Sequence, residues 1–214
     1  MNDSHPLAFL RLFIALPVPP DVRKEIGRAQ SQLRRHSPPG AVRWTQPEQF
    51  HVTLKYLGDV PATQVAALEE SVSRACAGFT ALRLSAHGLG FFPSAQSPRV
   101  IWAGAGDDDD RLAELHRRMD EAVRPFAPAE PLKRFTGHIT LGRFKPGRFA
   151  ASATWLERAA VWRNHHFGDW LAGAVAIVRS ELTAEGARHT PLISFPLVAE
   201  HRGTGDLPDH EKHP

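Results

Sequence analysis

One tetrapeptide occurs twice in this 214-residue chain, and each copy lies in a strand-like stretch. His51-Val52-Thr53-Leu54 returns as His138-Ile139-Thr140-Leu141, 87 positions later (138 − 51). With 12 histidines and ten threonines, one His-x-Thr is expected about 0.6 times by chance, so a single copy is uninformative. Requiring Val or Ile between the two, and Leu after them, lowers that to roughly 0.005. Two full matches are therefore a signal. In a strand, residues i and i+2 share a face, about 6.5–7 Å apart. Each copy displays an imidazole and a hydroxyl on one face and turns its two apolar residues to the other. Arg143, five residues after His138, falls on the wrong face of a regular strand. A bulge, or the strand's end after Gly142, is needed to bring it round.

Strand and helix patterns alternate around these motifs. Leu10–Leu16 reads as a buried strand, and a helix follows from about Asp21 to His36 with Val22, Ile26, Ala29 and Leu33 on one face. Val42–Thr45 and Phe50–Leu57 are strands separated by a turn at Pro47. A second helix starts at Pro61 and turns Val65, Leu68, Val72 and Ala75 inward. Strands at Ala81–Leu89 and Arg99–Ala103 precede a third helix from Asp107 to Val123, striped by Leu112, Leu115, Met119 and Val123. Gly137–Phe144 is a strand, Ala151–Arg163 a helix, and Gly173–Leu182 pairs with Thr190–Val198 through Gly186. The class is α+β with antiparallel pairing. Residues 1–9 and 200–214 read as flexible ends of one domain spanning 10–199, whose two motif-bearing halves face each other.

Composition narrows the function. At 42% hydrophobic and 23% charged residues the chain is globular, not disordered. No apolar stretch approaches the roughly 20 residues of a membrane helix, and the start lacks a secretory leader pattern. The lone Cys76 excludes an internal disulfide and any multi-cysteine metal site, and points to a reducing, cytoplasmic setting. Cys76 reads as a small packing residue beside the helix stripe. Asp107–Asp110 reads as a helix start, where carboxylates cap free amides, because it lacks the spaced ligands of a calcium loop. Gly88-x-Gly90 marks a turn or bulge, and the adjacent His165 and His166 diverge, so neither pair makes a phosphate loop or a metal site. From Pro131 to Ala150 the chain carries Lys133, Arg134, Arg143, Lys145 and Arg148 and no carboxylate. That segment is a solvated face or a seat for an anionic ligand.

Two imidazoles and two hydroxyls converging on a cleft suit phosphoester chemistry without a metal or cofactor. A neutral imidazole accepts a proton from the attacking water or hydroxyl. An imidazolium gives one to the departing oxygen. Threonine hydroxyls donate to the nonbridging oxygens.

At this point the sequence resembles the two-histidine (2H) phosphoesterase superfamily, and within it the RNA 2′,3′-cyclic phosphodiesterases, also called 2′-5′ RNA ligase-like. The shared segments are Arg11–Pro17, Phe50–Gly58, Phe92-Pro93, Pro98–Gly104, His138–Arg143, and Ser180-x-Leu182 with Gly186. The resemblance spans about Leu10 to Leu197. It implies a bilobal α+β fold, with two antiparallel sheets facing a central cleft and helices packed outside. It also implies hydrolysis of RNA or nucleoside 2′,3′-cyclic phosphate ends to 2′-phosphomonoesters by a cytoplasmic monomer. His51 would be the proton donor and His138 the acceptor. Thr53 and Thr140 would hold the phosphoryl group, Arg143 would neutralise it, and Phe13 would contact the nucleoside. Gly137 replaces an expected proline and should loosen the lead-in to its strand. His189 replaces an expected tyrosine and puts a C-terminal substrate contact in question. The same site run in reverse would ligate 2′-5′ ends. A noncatalytic RNA-end-binding module would keep the cations and threonines but has no need of an acid–base pair.

Overall fold

The two repeated strands are neighbours, and the rest of the fold is arranged around their meeting. The computed structural model describes residues 8–127, 135–146, 152–183 and 186–199. Apart from residues 8 and 9, the expected flexible ends lie outside them. So do Lys133, Arg134 and Arg148. Along the chain run β1 (Phe9–Pro17), α1 (Pro20–Arg35), β2 (Val42–Trp44), β3 (His51–Pro61), α2 (Val65–Cys76), β4 (Leu82–Phe92) and β5 (Val100–Gly106). There follow α3 (Arg111–Ala122), β6 (His138–Phe144), α4 (Ala153–Ala160), β7 (His166–Ala172), β8 (Ala174–Thr183) and β9 (Gly186–Pro196).

The strands pair antiparallel in the order β7-β4-β5-β6-β3-β1-β8-β9, with β2 added beside β6. This is two half-sheets, β3-β1-β8-β9 and β6-β5-β4-β7, joined where β3 and β6 touch. The junction is a single residue pair, Val52 with Ile139. The expected two sheets about a cleft are therefore one continuous sheet with a narrow seam. Beyond the seam β3 departs, and β2 takes its place along the same edge of β6, from Gly142 to Phe144.

Apolar periodicity placed the core correctly. Val52, Leu54, Ile139 and Leu141 are buried in one cluster with Val22, Ile26, Ala29 and Leu33 of α1, Leu68 and Val72 of α2, and Leu112, Leu115 and Met119 of α3. The helices thus cover the face of the sheet opposite the motif histidines. On the other face, Phe13, Ala15, Ala176 and Val178 form a small separate cluster. Cys76 is buried, and that burial pushes its thiol up to about 11, so it packs as an inert apolar group. The carboxylate of Asp107 accepts hydrogen bonds from the amides of Arg111 (2.7 Å) and Leu112 (3.2 Å), capping α3 as its composition suggested.

Three details depart from the sequence pattern. Pro61 ends β3 instead of opening α2, because Pro61 pairs with Phe9 and the Ala62 amide donates to the Ala8 carbonyl at 2.8 Å. The same pairing draws Phe9, expected in the flexible start, into β1. Strand β7 is marked by no clean alternation, because a register shift against β4 falls between its pairings at His166 and Gly168.

Ile139 is fully buried at the seam. Ile139→Ala should cost about 2–5 kcal/mol of unfolding free energy in denaturant titrations, and Ile139→Val about 0.5–1.5. A loss under about 1 kcal/mol for the alanine variant would show that the seam is not tightly packed.

Candidate active site

Register at the seam decides what the two motifs build. Val52 faces Ile139 across the antiparallel pair, and both are buried on the core side. One step either way, His51 falls opposite Thr140 and Thr53 opposite His138. All four are half-buried, whereas their neighbours Val52, Leu54, Ile139 and Leu141 are buried. Cross-strand partners lie about 4.5–5.5 Å apart at Cα, so two imidazoles and two hydroxyls share one small patch related by an approximate twofold through the seam.

Each motif then bulges at its leucine. Between β5 and β6 the register passes from Ile101 with Gly142 to Trp102 with Thr140, so Leu141 is the extra residue. Leu141 and Gly142 are consecutively buried, and Arg143 emerges on the histidine face. This is the bulge that Arg143 required. Strand β3 repeats it. Its register against β1 passes from Ile14 with Lys55 to Ala15 with Thr53, leaving Leu54 unmatched. Lys55 consequently turns to the α3 side, where it pairs with Asp120 at 2.7 Å. Tyr56 takes the position relative to His51 that Arg143 holds relative to His138.

The result is a cleft of about 490 Å³. His51, Thr53, Thr140, Arg143 and Phe13 line it, whereas His138 is not among its lining residues and falls opposite Thr53 when the seam register is continued by one step. Arg11, Arg43, Trp44, Tyr56 and His189 also line it, and among the described residues no Asp or Glu does. The basic character expected from the 131–150 segment is thus supplied at the cleft by Arg143 together with Arg11 of β1 and Arg43 of β2. The pattern signal for Tyr56 was its i+5 spacing, matching Arg143. Arg11 and Arg43 had no sequence signal, since strand pairing alone brings them in. Arg11 donates to the Tyr56 hydroxyl and lies 5.5 Å from that ring's centre.

The histidines are oriented by the same device twice. His51 Nδ1 is 2.7 Å from the Gln49 carbonyl, and His138 Nδ1 is 2.8 Å from the Thr136 carbonyl. A carbonyl only accepts, so each Nδ1 carries the hydrogen and donates it, leaving Nε2 to exchange protons. Aromatic rings brace both imidazoles. Phe13 and His189 lie 4.7 and 5.2 Å from His51 between ring centres. Phe92 lies 5.1 Å and Trp102 6.3 Å from His138. Phe13 is only 4% exposed, packed against the rings of His51 and His189 and beside Ala15, Ala176 and Val178. Trp102 lies over Gly90, where a Cβ would come within 2.1 Å of the indole.

The two departures from the expected pattern resolve differently. Gly137 does not loosen the lead-in to β6. Its carbonyl accepts from the Ala105 amide at 3.0 Å, and a Cβ there would lie 2.2 Å from the Ala105 oxygen. Glycine lets this segment press against β5. His189 remains in the cleft wall, edge-on to both Phe13 and His51.

Electrostatics favour neutral rings in the free protein. Burial, with smaller contributions from His189, His138 and Arg143, pushes His51 down to about 4 despite its bond to Gln49. Burial and then Arg143 also hold His138 below the ordinary imidazole value, against the opposing bond to Thr136. Such a site disfavours added positive charge and welcomes an anion.

Comparison with known proteins shows the family. The LigT-like phosphoesterase profile matches residues 16–102. A Thermus thermophilus protein named RNA 2′,3′-cyclic phosphodiesterase is 33% identical over 213 residues, covering 94% of this chain and 99% of its own. One of the same name from Methanothermobacter thermautotrophicus is 29% identical over 188 residues, covering 88% and 99%. The crystal structure of TT0787 from Thermus thermophilus superposes with a TM-score of 0.70 at 30% identity, covering 90% of this chain and all of the other. Identity of this extent along nearly the whole length of both chains establishes that the chain belongs to the LigT-like phosphoesterases, in the family of RNA 2′,3′-cyclic phosphodiesterases.

Proposed function

We propose that the chain hydrolyses 2′,3′-cyclic phosphate ends of RNA, and nucleoside 2′,3′-cyclic phosphates, to 2′-phosphomonoesters, with His51 and His138 as acid and base. The observation that carries this reading is the seam register, which brings two imidazoles with unprotonated Nε2 and two threonines onto one face, at a cleft whose described lining residues include no Asp or Glu. The relatives that bear the name of this activity support it.

The cyclic phosphate is a monoanion that seats against Arg143 and accepts hydrogen bonds from Thr53 and Thr140 through its nonbridging oxygens. His138 Nε2 takes a proton from water as the water oxygen attacks phosphorus. The bond from phosphorus to O3′ breaks, and His51 Nε2 gives its proton to that oxygen. The 2′-phosphate leaves, and the two rings have exchanged protonation states. No helix among the described residues is long and apolar enough to cross a membrane. The buried, unbridged Cys76 supports a cytoplasmic setting.

His51→Ala and His138→Ala should each lower kcat by about 10²–10⁴-fold while leaving the unfolding midpoint near that of the parent. Assay in EDTA with a nucleoside 2′,3′-cyclic phosphate, followed by identification of the monophosphate, checks this. Retained turnover in either variant would refute the assignment, and a 3′ product would reverse which ester oxygen departs.

A second expectation concerns pH. A lowered imidazole pKa means that the ring is already neutral at pH values where an ordinary histidine is half protonated. Both limbs of the kcat/KM profile, which reports the free enzyme, should therefore fall below the ordinary histidine value near 6.5. The kcat profile should lie at higher pH, because a bound phosphate anion raises both rings. A kcat/KM plateau extending above neutrality would contradict the neutral-ring state.

A further inference from the structure

Among the described residues, Gln30 is the one buried polar side chain. It lies in α1 among Ile26, Ala29 and Leu33, only 6% exposed. Its side-chain nitrogen donates two hydrogen bonds, to the Thr45 carbonyl at 2.7 Å and to the Leu141 carbonyl at 2.8 Å. Since both partners are acceptors, the amide's orientation is fixed. Burying an amide is unfavourable unless its donors are used, and here both hydrogens are.

The two carbonyls mark one place in the fold. Leu141 is the bulge residue of β6, where the ladder with β5 is broken. Thr45 continues β2 and lines the cleft, and its own amide donates to the same Leu141 carbonyl at 2.9 Å. Gln30 therefore ties the bulge to the strand that replaces β3 beside β6. Two residues further on, Arg143 depends on that bulge for its position on the histidine face. Without the extra residue, β6 would return to regular alternation and turn the guanidinium into the apolar core, where an unpaired charge is excluded.

We infer that Gln30 is a positioning residue for phosphate recognition: from the core side of the sheet it holds the Leu141 bulge that aims Arg143 into the cleft. It touches no substrate and acts only through the backbone of β6. The inference rests on the functional reading above for the identity of the substrate, but not for the coupling between Gln30 and Arg143.

A double-mutant cycle separates this role from general support of the core. Gln30→Met keeps the volume and removes both donors. Measured with a nucleoside 2′,3′-cyclic phosphate, it should lower kcat/KM about tenfold in the parent, with KM carrying much of the change. In an Arg143→Ala background it should lower kcat/KM less than about twofold, because the group it positions is gone. Equal losses in the two backgrounds, or no loss in the parent, would overturn the inference. Should Gln30→Met fail to fold by circular dichroism, the same cycle run with Gln30→Asn, which keeps the amide on a shorter arm, decides by the same criterion. If the parent turns over no cyclic phosphate, the functional reading fails. The coupling is then read from calorimetric binding of inorganic phosphate to the same four proteins, where additive losses refute the positioning role.

Discussion

The structure depends on one backbone pair. Val52 and Ile139 are where the two half-sheets become one, and their complete burial fixes the strand faces on either side. Because side chains alternate with a period of two, a slip of one strand by one residue at this point would send its imidazole into the core and its leucine into the cleft. Desolvating that imidazole while exposing two aliphatic side chains would oppose the slip. The chemistry is therefore protected by the hydrophobic effect acting on the opposite face of the same strands.

Period alone would not finish the site. Two regular strands would offer the four motif residues and then turn the fifth position away. The bulges at Leu54 and Leu141 reverse that parity, and the duplicated sequence carries the duplicated irregularity. The approximate twofold thus extends beyond the motif to Tyr56 and Arg143, which share a backbone position and differ in charge. Orientation of the rings is likewise duplicated, each imidazole donating to the carbonyl two residues before it. A neutral Nδ1–H tautomer with Nε2 free is then the ground state of both histidines.

Much of this was legible in the residues, for reasons that can be named. Helices α1 and α3 were marked by stripes that the core confirms, and the repeated tetrapeptide located both seam strands. Even the bulge near Arg143 followed from asking how a cation five residues from a histidine could reach its face. What stayed hidden depends on pairing between distant segments. Arg11 and Arg43 enter the cleft because β1 pairs with β3 and β2 with β6, which no local pattern encodes. Gly137 looked like a loss of stiffness, yet its lack of a side chain matters only because the Ala105 oxygen is so close. Gln30 carries no pattern signal of its own, and its burial becomes meaningful only with the two carbonyls it bonds.

The asymmetry within the twofold bears on which ring gives and which takes the proton. Arg143 opposes protonation of both rings, and each imidazolium opposes the other, so the asymmetry comes from the deeper burial of His51 and from His189, which lies against it. The imidazolium of His51 is thus the more strained and, once formed, the stronger acid. His138, less deeply buried, is the ring that accepts a proton with less penalty. The arrangement that the proposed mechanism requires, protonated His51 with neutral His138, is therefore a minor state of the free protein. Its members are well matched to their tasks, because a proton held loosely is easily given to a departing alkoxide. A phosphate anion seated between the rings favours the imidazolium electrostatically and raises the population of that state. Arg143, which seats the phosphate in the proposed mechanism, also opposes protonation of both rings in its absence, so binding and protonation are coupled through that charge.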